Sequence, residues 1–344
     1  MECERIDLIS LFDLEFHNDR VSSADLRTLR SAHGNQDLED LFIESRNWIF
    51  GSEPIPSLRR FCLPQSARLA HSKGSSILLS PEHGAGVFSV WQTITDGTDP
   101  LELKRRTWDS GDPFRELDGL GLDIVENDRE YPFIAIRART GDLDAFCHDH
   151  ATDLGRVFTG NYEDEELRYL DQYVSAENNV SKRRYERLYV RWTDALAVYS
   201  NSVSESEYEK TLCRAVQLFE NCIILRRLLD NADHRVAHIS STLSFYRPRP
   251  WAVQKVLQSV RDFQRQFVDA PPIWSLEASR LLATTYRSFG ISDRFEATNR
   301  GCDLMEKRFQ WAKTQLLVSI GVATYLLDKL KLFDLIVRKI HLGG

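Results

Sequence analysis

The sequence predicts an α+β protein with two parts, a mixed α+β domain over residues 1–200 and an all-α helical domain over residues 204–344. In the first part, short apolar runs bounded by glycine and proline alternate irregularly with helical patterns. After Ser204, apolar residues recur only at helical spacing. Near the C-terminus, the fourteen residues 314–327 contain no charge, which predicts a long apolar final helix.

The strands of the first part are predicted from alternation and from short apolar runs. Residues 5–16 alternate between apolar and other side chains, which indicates a half-buried strand. A turn at residues 81–86 joins two apolar runs, which indicates a hairpin. Residues 34–74 contain three prolines and are predicted to be irregular. The predicted strands cover residues 5–16, 76–79, 87–91, 133–138, 187–193 and 195–199.

Capping and stop signals define the helices. Ser22 or Ser23 caps a short helix, and Ser204 with Glu207 fits a capping box that opens a helix extending past Asp230. Ser275 caps a later helix, and Gly290 suits its C-terminal end. The other predicted helices cover residues 101–108, 141–154, 162–173, 253–267 and 292–338.

The composition is that of a folded, soluble protein. Of 344 residues, 42% are hydrophobic and 28% are charged, so the chain has enough apolar surface for about two domains. The formal net charge of −7 makes a nucleic-acid binder improbable. None of the six cysteines forms a CxxC pair, and the N-terminus carries no signal-peptide pattern, so we expect reduced thiols in a cytoplasmic protein.

No catalytic constellation or cofactor motif appears, so the sequence favours a protein that is not an enzyme and needs no cofactor. Two pairs have the spacing of metal ligands on one helix face, Cys147 with His150 and His234 with His238. In both cases an ordinary solvent-exposed helix surface explains the pair more simply. Arg247 and Arg249 form a small basic cluster that could bind phosphate or an acidic partner, and a second basic cluster contains Arg183, Arg184 and Arg187.

An alternative is an enzyme or a nucleotide or ligand sensor whose site is assembled in the first domain. This alternative predicts a deep pocket lined by several polar side chains that are distant in sequence. The candidates are His83, Asp123, Glu126, Cys147, His148 and His150.

The apolar run in the final helix has three interpretations. It is a core helix, a surface for oligomerisation or partner docking, or a membrane contact. Fourteen helical residues rise about 21 Å, which is short of the ~30 Å hydrocarbon core and disfavours a simple membrane span. The residues predicted to contact a partner or membrane are Leu316, Leu317, Ile320, Tyr325, Leu326, Phe333 and Ile336.

The order of the parts, an α+β half followed by long helices and an apolar C-terminal segment, resembles that of known protein families. The stretch Tyr286-Arg287-Ser288-Phe289-Gly290-Ile291, followed by Arg308-Phe309-Gln310-Trp311-Ala312-Lys313, leads directly into the apolar run. This ending resembles that of CorA-like and retrograde-regulation proteins, and it is similar to the bacterial caspase- and TPR-repeat-associated (CATRA) conflict-system proteins. The Gly-Met-Asn motif of CorA pores is absent, since the only methionines are Met1 and Met305.

The resemblance covers about the last 140 residues. It implies a signalling component of a bacterial defence system that acts through helical assembly. The implied partner is a caspase-like peptidase or a TPR protein, with homo-oligomers and contact with a membrane surface as further expectations. The expected location is the cytoplasm, with peripheral contact at the inner membrane.

Overall fold

A computed structural model describes residues 3–17, 21–50, 58–64, 72–94, 117, 119–125, 130–159, 174–181, 183–191, 194–242, 258 and 276–329. The strands are β1 (Cys3–Phe16), β2 (Arg59–Leu63), β3 (Ser72–Ser80), β4 (Ala85–Ile94), β5 (Ile124–Val125), β6 (Glu130–Ala138), β7 (Glu186–Val190) and β8 (Ala195–Ser200). The helices are α1 (Ser23–Ala32), α2 (Gln36–Phe50), α3 (Leu143–Asp149), α4 (Ala151–Thr159), α5 (Glu205–Thr242), α6 (Leu276–Ser288) and α7 (Ile291–Lys329).

One mixed sheet of eight strands contains all of these strands, in the order β2-β3-β4-β1-β6-β8-β7, with β5 paired to β1. Every strand pair is antiparallel except β6 with β8. The long helices α5 and α7 follow the sheet in the chain. The predicted α+β class is therefore confirmed, and after Ser204 the described residues contain helices and no strand.

Strand β1 lies at the centre of the sheet, and both of its faces are covered. On one face, Leu8, Phe12 and Leu14 belong to the hydrophobic core clusters. On the other face, Asp7 and Asp13 are only 1% and 4% exposed because α5 packs over them. The prediction of a strand is confirmed, whereas the prediction that it is half-buried is wrong.

Helix α5 begins as its sequence predicts. The Oγ of Ser204 accepts a hydrogen bond from the backbone N–H of Glu207 at 3.3 Å. The carboxylate of Glu207 accepts from Thr211 and Arg214 within its own helix, so the reciprocal half of the predicted capping box does not form. Ser204 nevertheless caps the helix, and α5 extends past Asp230, as predicted, to Thr242.

The prediction that residues 34–74 are irregular is wrong for the described part of this range, which contains α2, β2 and the start of β3. Helix α2 opens at Asn35, whose side-chain oxygen accepts the backbone N–H of Leu38 at 3.1 Å. Strand β2 follows and pairs with β3 at the edge of the sheet. Phe42 of α2 packs edge-on against Trp91 of β4, which places α2 on the same sheet face as α5.

The hairpin of β3 and β4 is confirmed, and two glycines shape it. Gly84 closes the turn with a backbone φ of 60°, a value that residues with a side chain rarely adopt. Gly86 lies inside β4, where an added Cβ would come 2.8 Å from the carbonyl oxygen of Leu78 and 2.5 Å from Cδ2 of Leu79.

We expect Gly86→Ala to lower the free energy of unfolding by about 1–3 kcal/mol, because the extra methyl group overfills this part of the core. Gly141→Ala is the matched control, since nothing lies within 4 Å of its added Cβ, and a change within about 0.5 kcal/mol is expected there. Urea denaturation followed by circular dichroism measures both. Equal losses for the two variants would contradict this account of Gly86.

The chain forms two compact units, and their boundaries do not coincide with the change from mixed α+β to helical structure near Ser204. One unit comprises Met1–Leu228 with Ala270–Ser292, and the other comprises Leu229–Asp269 with Asp293–Gly344. Gly290, with φ of 63°, lies between α6 and α7, which confirms the prediction that this glycine ends a helix. The predicted cap Ser275 and the predicted helices over residues 101–108 and 162–173 lie outside the described residues, as does the helix over 253–267 apart from Gln258.

Candidate functional site

The first part of α7 is one-sided. Its buried residues are spaced by three, four and seven positions, which is the spacing of a helix that packs along one seam. After Ile291, the first residue of the helix, they are Phe295, Thr298, Cys302, Met305 and Ala312. This part of α7 therefore has an inside and an outside.

From residue 294 to residue 301, α7 packs against the end of α5 within the second compact unit. Arg294 forms an ion pair with Asp230, and Thr298 Oγ1 donates to Asp233 Oδ1 at 2.7 Å. Gly301 lies against Val236. These pairs advance together along both helices, so α5 and α7 run parallel, and Thr242, the last described residue of α5, is level with about Lys307.

Beyond that level, α7 continues as the segment that we call the apolar segment, residues 314–327. Six of its large apolar side chains are exposed by 50% to 60%, and Leu316 is half-buried. The exposed ones are Leu317, Val318, Ile320, Val322, Tyr325 and Leu326. The predicted residues Leu317, Ile320, Tyr325 and Leu326 are thus on the surface, and Phe333 and Ile336 lie outside the described residues.

The apolar surface extends around the whole helix. Leu317 and Leu326 are nine residues apart, which is two and a half turns, so they point in opposite directions. A helix with one apolar face needs one neighbour, whereas a helix that is apolar all round needs an apolar environment on every side. Among the described helices, none is long and apolar enough to cross a membrane.

Comparisons with known proteins identify no relative. No protein-family model, no curated protein and no solved structure matches this chain. The arguments about function below therefore start from the geometry of the chain itself.

The predicted metal ligands Cys147 and His150 face different surroundings. Cys147 is buried and receives a hydrogen bond from the hydroxyl of Tyr189, and burial raises the pKa of its thiol to about 11. His150 ends α3 and packs against Phe146, with ring centroids 4.8 Å apart. A thiol that stays protonated near neutral pH is a poor metal ligand and a poor nucleophile.

The second predicted pair, His234 and His238, is exposed on α5. In the part of the chain that the structure describes, no group of three or more His, Cys, Asp or Glu side chains could hold a metal ion. Arg247 and Arg249, the predicted phosphate or acidic-partner contacts, lie outside the described residues.

A cleft in the first compact unit collects some of the other candidates. Its volume is about 570 Å³, and it lies between α3, the start of α4 and the segment that precedes β7. Of the six polar residues that the sensor alternative names, Cys147 and His148 line the cleft, Glu126 lies outside the described residues, and His83, Asp123 and His150 are not part of the lining. The His83 ring instead bonds to the Oγ of Ser80 at 2.9 Å.

The sequence does not predict the role of the arginines in this cleft. Arg183, Arg184 and Arg187 read as a solvent-exposed basic cluster, but all three line the cleft opposite α3. Arg187 contacts Asp144 of α3, which lies about forty positions earlier in the chain, so no local sequence pattern predicts this contact. Similarly, Val318 and Val322 of the apolar segment are exposed like the predicted residues, and the same uncharged run was their only signal.

Proposed function

We propose that this chain is a non-enzymatic interaction protein that assembles with further copies of itself through the apolar segment of α7. The observation that carries the proposal is the exposure of apolar side chains on opposite sides of one helix, beyond the end of its seam with α5. Several copies placed around a common axis would cover the sides of such a helix that face the axis and its two neighbours.

Further copies suit this segment better than a bilayer does. The uncharged run rises about 21 Å against the ~30 Å of a hydrocarbon core, and Asp328 and Lys329 follow it at once. Ser319, Gly321 and Ala323 are small, and nothing lies within 4 Å of a Cβ added at Gly321, so a neighbouring helix has room to approach closely.

The experiment measures particle mass by light scattering after gel filtration. A chain of 39.7 kDa is expected to elute as a multiple of that mass. Leu317→Glu is expected to raise the dissociation constant of the assembly about 100-fold or more, because burying an unpaired carboxylate between helices is strongly unfavourable. The substituted side chain is exposed in the single chain, so the variant should remain folded.

Leu304→Glu is the matched control. Leu304 is an equally exposed leucine of the same helix, at 58%, but it precedes the apolar segment. Its variant should keep the mass of the unaltered protein. A mass of 39.7 kDa for the unaltered protein would contradict self-assembly, and sedimentation of that monomer with anionic vesicles, lost in Leu317→Glu, would assign the segment to a membrane surface instead.

The resemblance to CATRA proteins adds a setting to the proposal, a bacterial defence system with a caspase-like peptidase or a TPR protein as the partner. It rests on the order of parts in the last 140 residues or so. The genes that flank this one test the setting, and a neighbourhood without any peptidase or TPR gene would count against it.

A further inference from the structure

The described residues that line the cleft beside α3 carry a positive charge in a chain whose net charge is −7. They include Arg183, Arg184 and Arg187 and one carboxylate, Asp144. A cleft that concentrates one sign of charge attracts ligands of the other sign. The first question is which of the arginines can reach a ligand.

Arg187 holds the wall of the cleft together. Its Nε and Nη2 contact Asp144 Oδ1 of α3 at 2.8 and 2.7 Å. Its Nη1 donates to the carbonyl oxygens of Arg183, Arg184 and Glu186 at 2.9, 3.3 and 2.8 Å. Arg187 is therefore a positioning residue that fixes the turn before β7 relative to α3.

The same turn is held from its other side. Ser181 is buried, and its Oγ accepts the backbone N–H of Arg183 at 3.2 Å while donating to Glu186 at 2.6 Å. Arg183 Nη1 donates to Thr211 at 3.1 Å, so part of its guanidinium is already engaged. Arg184 is exposed at the edge of the cleft, and its backbone carbonyl oxygen accepts a hydrogen bond from Arg187.

Across the cleft, α3 contributes His148, which is exposed, and the buried Cys147. Tyr189, Val174 and Ala151 supply apolar surface. The cleft thus joins a polar edge, formed by the guanidinium of Arg184 and the imidazole of His148, to a partly apolar floor. About 570 Å³ is far more than an inorganic anion needs and lies within the usual range of small-molecule sites.

We propose that this cleft binds a phosphate monoester of a small organic molecule, with the phosphate at Arg184 and His148 and the organic part on the floor. The guanidinium fork matches the geometry of phosphate oxygens and can bind two of them at once. The floor offers contact area that phosphate alone would not use. This binding site is separate from the apolar segment and does not depend on self-assembly.

The test is calorimetric titration of the full chain with three probes, phenyl phosphate, ribose 5-phosphate and adenosine 5′-monophosphate. At least one is expected to bind more tightly than inorganic phosphate, and adenosine without its phosphate should bind more weakly than its monophosphate. Arg184→Ala should weaken binding about tenfold, the loss of one charge-assisted contact. His148→Ala should weaken it as well.

Arg30→Ala is the matched control, because Arg30 is an exposed arginine in the last turn of α1 and is not part of the cleft lining. It should bind the probes as the unaltered protein does. The proposal is overturned if none of the three probes binds at millimolar concentration, or if binding is unchanged in Arg184→Ala. It is also overturned if Arg30→Ala and Arg184→Ala weaken binding equally, since the effect would then be one of overall charge.

Discussion

Glu220→Ala is expected to lower the free energy of unfolding by about 3–5 kcal/mol, because it leaves a guanidinium without its partner in a nearly dry site. Glu220 lies on α5 with no exposed surface in its side chain, and it accepts hydrogen bonds from Arg60 of β2 and Ser89 of β4. Arg60 is itself only 12% exposed and stacks over the ring of Phe42 at 3.5 Å. Removing the carboxylate therefore leaves the Arg60 guanidinium unpaired at a position where water solvates it poorly.

Two further variants separate this explanation from a simple loss of packing. In Arg60→Met/Glu220→Met the charges are removed together, and most of the lost stability should return, since apolar side chains of similar size often replace a buried ion pair without cost. Glu44→Ala removes the partly exposed partner of Lys210, 3.0 Å away, and should cost less than about 1 kcal/mol. Urea denaturation measures all three. If Arg60→Met/Glu220→Met is as unstable as Glu220→Ala, the unpaired charge of Arg60 is not the cause of the loss.

Asp7→Ala is expected to have an effect of similar size, about 3–5 kcal/mol, at the other end of the contact between α5 and the sheet. Arg5 contacts this carboxylate through Nε and Nη2 at 2.8 and 2.9 Å. The hydroxyls of Tyr208 and Thr93 donate to it too. Without Asp7, the buried hydroxyl of Tyr208, the half-buried hydroxyl of Thr93 and most of the Arg5 guanidinium lose their acceptor.

Tyr208→Phe tests how much of this effect belongs to the α5 contact alone. The ring keeps its edge-on packing against Tyr199, with centroids 4.9 Å apart, and Asp7 keeps its other partners. A loss of about 1 kcal/mol is expected, the value of one hydrogen bond. The same denaturation measurement applies, and a loss as large as that of Asp7→Ala would mean that the Tyr208 hydrogen bond alone, rather than the unpaired guanidinium of Arg5, accounts for the effect.

Elements with local signals could be predicted from the sequence. The Ser22 cap of α1, the Ser204 cap of α5 and the turn at Gly84 depend on residues within a few positions of each other. The strands β6, β7 and β8 follow from short apolar runs. Helix α2 was missed because the prolines around it suggest an irregular region, although its cap at Asn35 and its apolar positions are local signals.

The buried polar layer between α5 and the sheet could not be predicted in this way. In the sequence, Asp7 and Asp13 look like the solvent face of an alternating strand. Their partners Tyr208 and Arg227 lie about two hundred positions away and belong to a helix that the alternation says nothing about. A polar residue that is paired and buried has the same local pattern as one that is hydrated.

The candidate sites divide along the same line. The apolar segment was predicted because fourteen uncharged residues in succession are visible without any tertiary contact. Of the cleft, only Cys147 and His148 were among the residues predicted to line a pocket, because its two walls come from α3 and from the turn before β7, and only the fold brings Asp144 to Arg187.

The central place of β1 has a consequence for how the protein is made. This strand is synthesised before its neighbours β4 and β6, and the helix that contributes Tyr208 to Asp7 follows later still. Before β4 and β6 emerge, a nascent chain carries an apolar strand with both edges unpaired, and before α5 emerges Asp7 lacks its contact with Tyr208. Contacts so distant in sequence slow folding and expose the strand to wrong pairing, so we expect β1 to need protection until the elements that cover it have been synthesised.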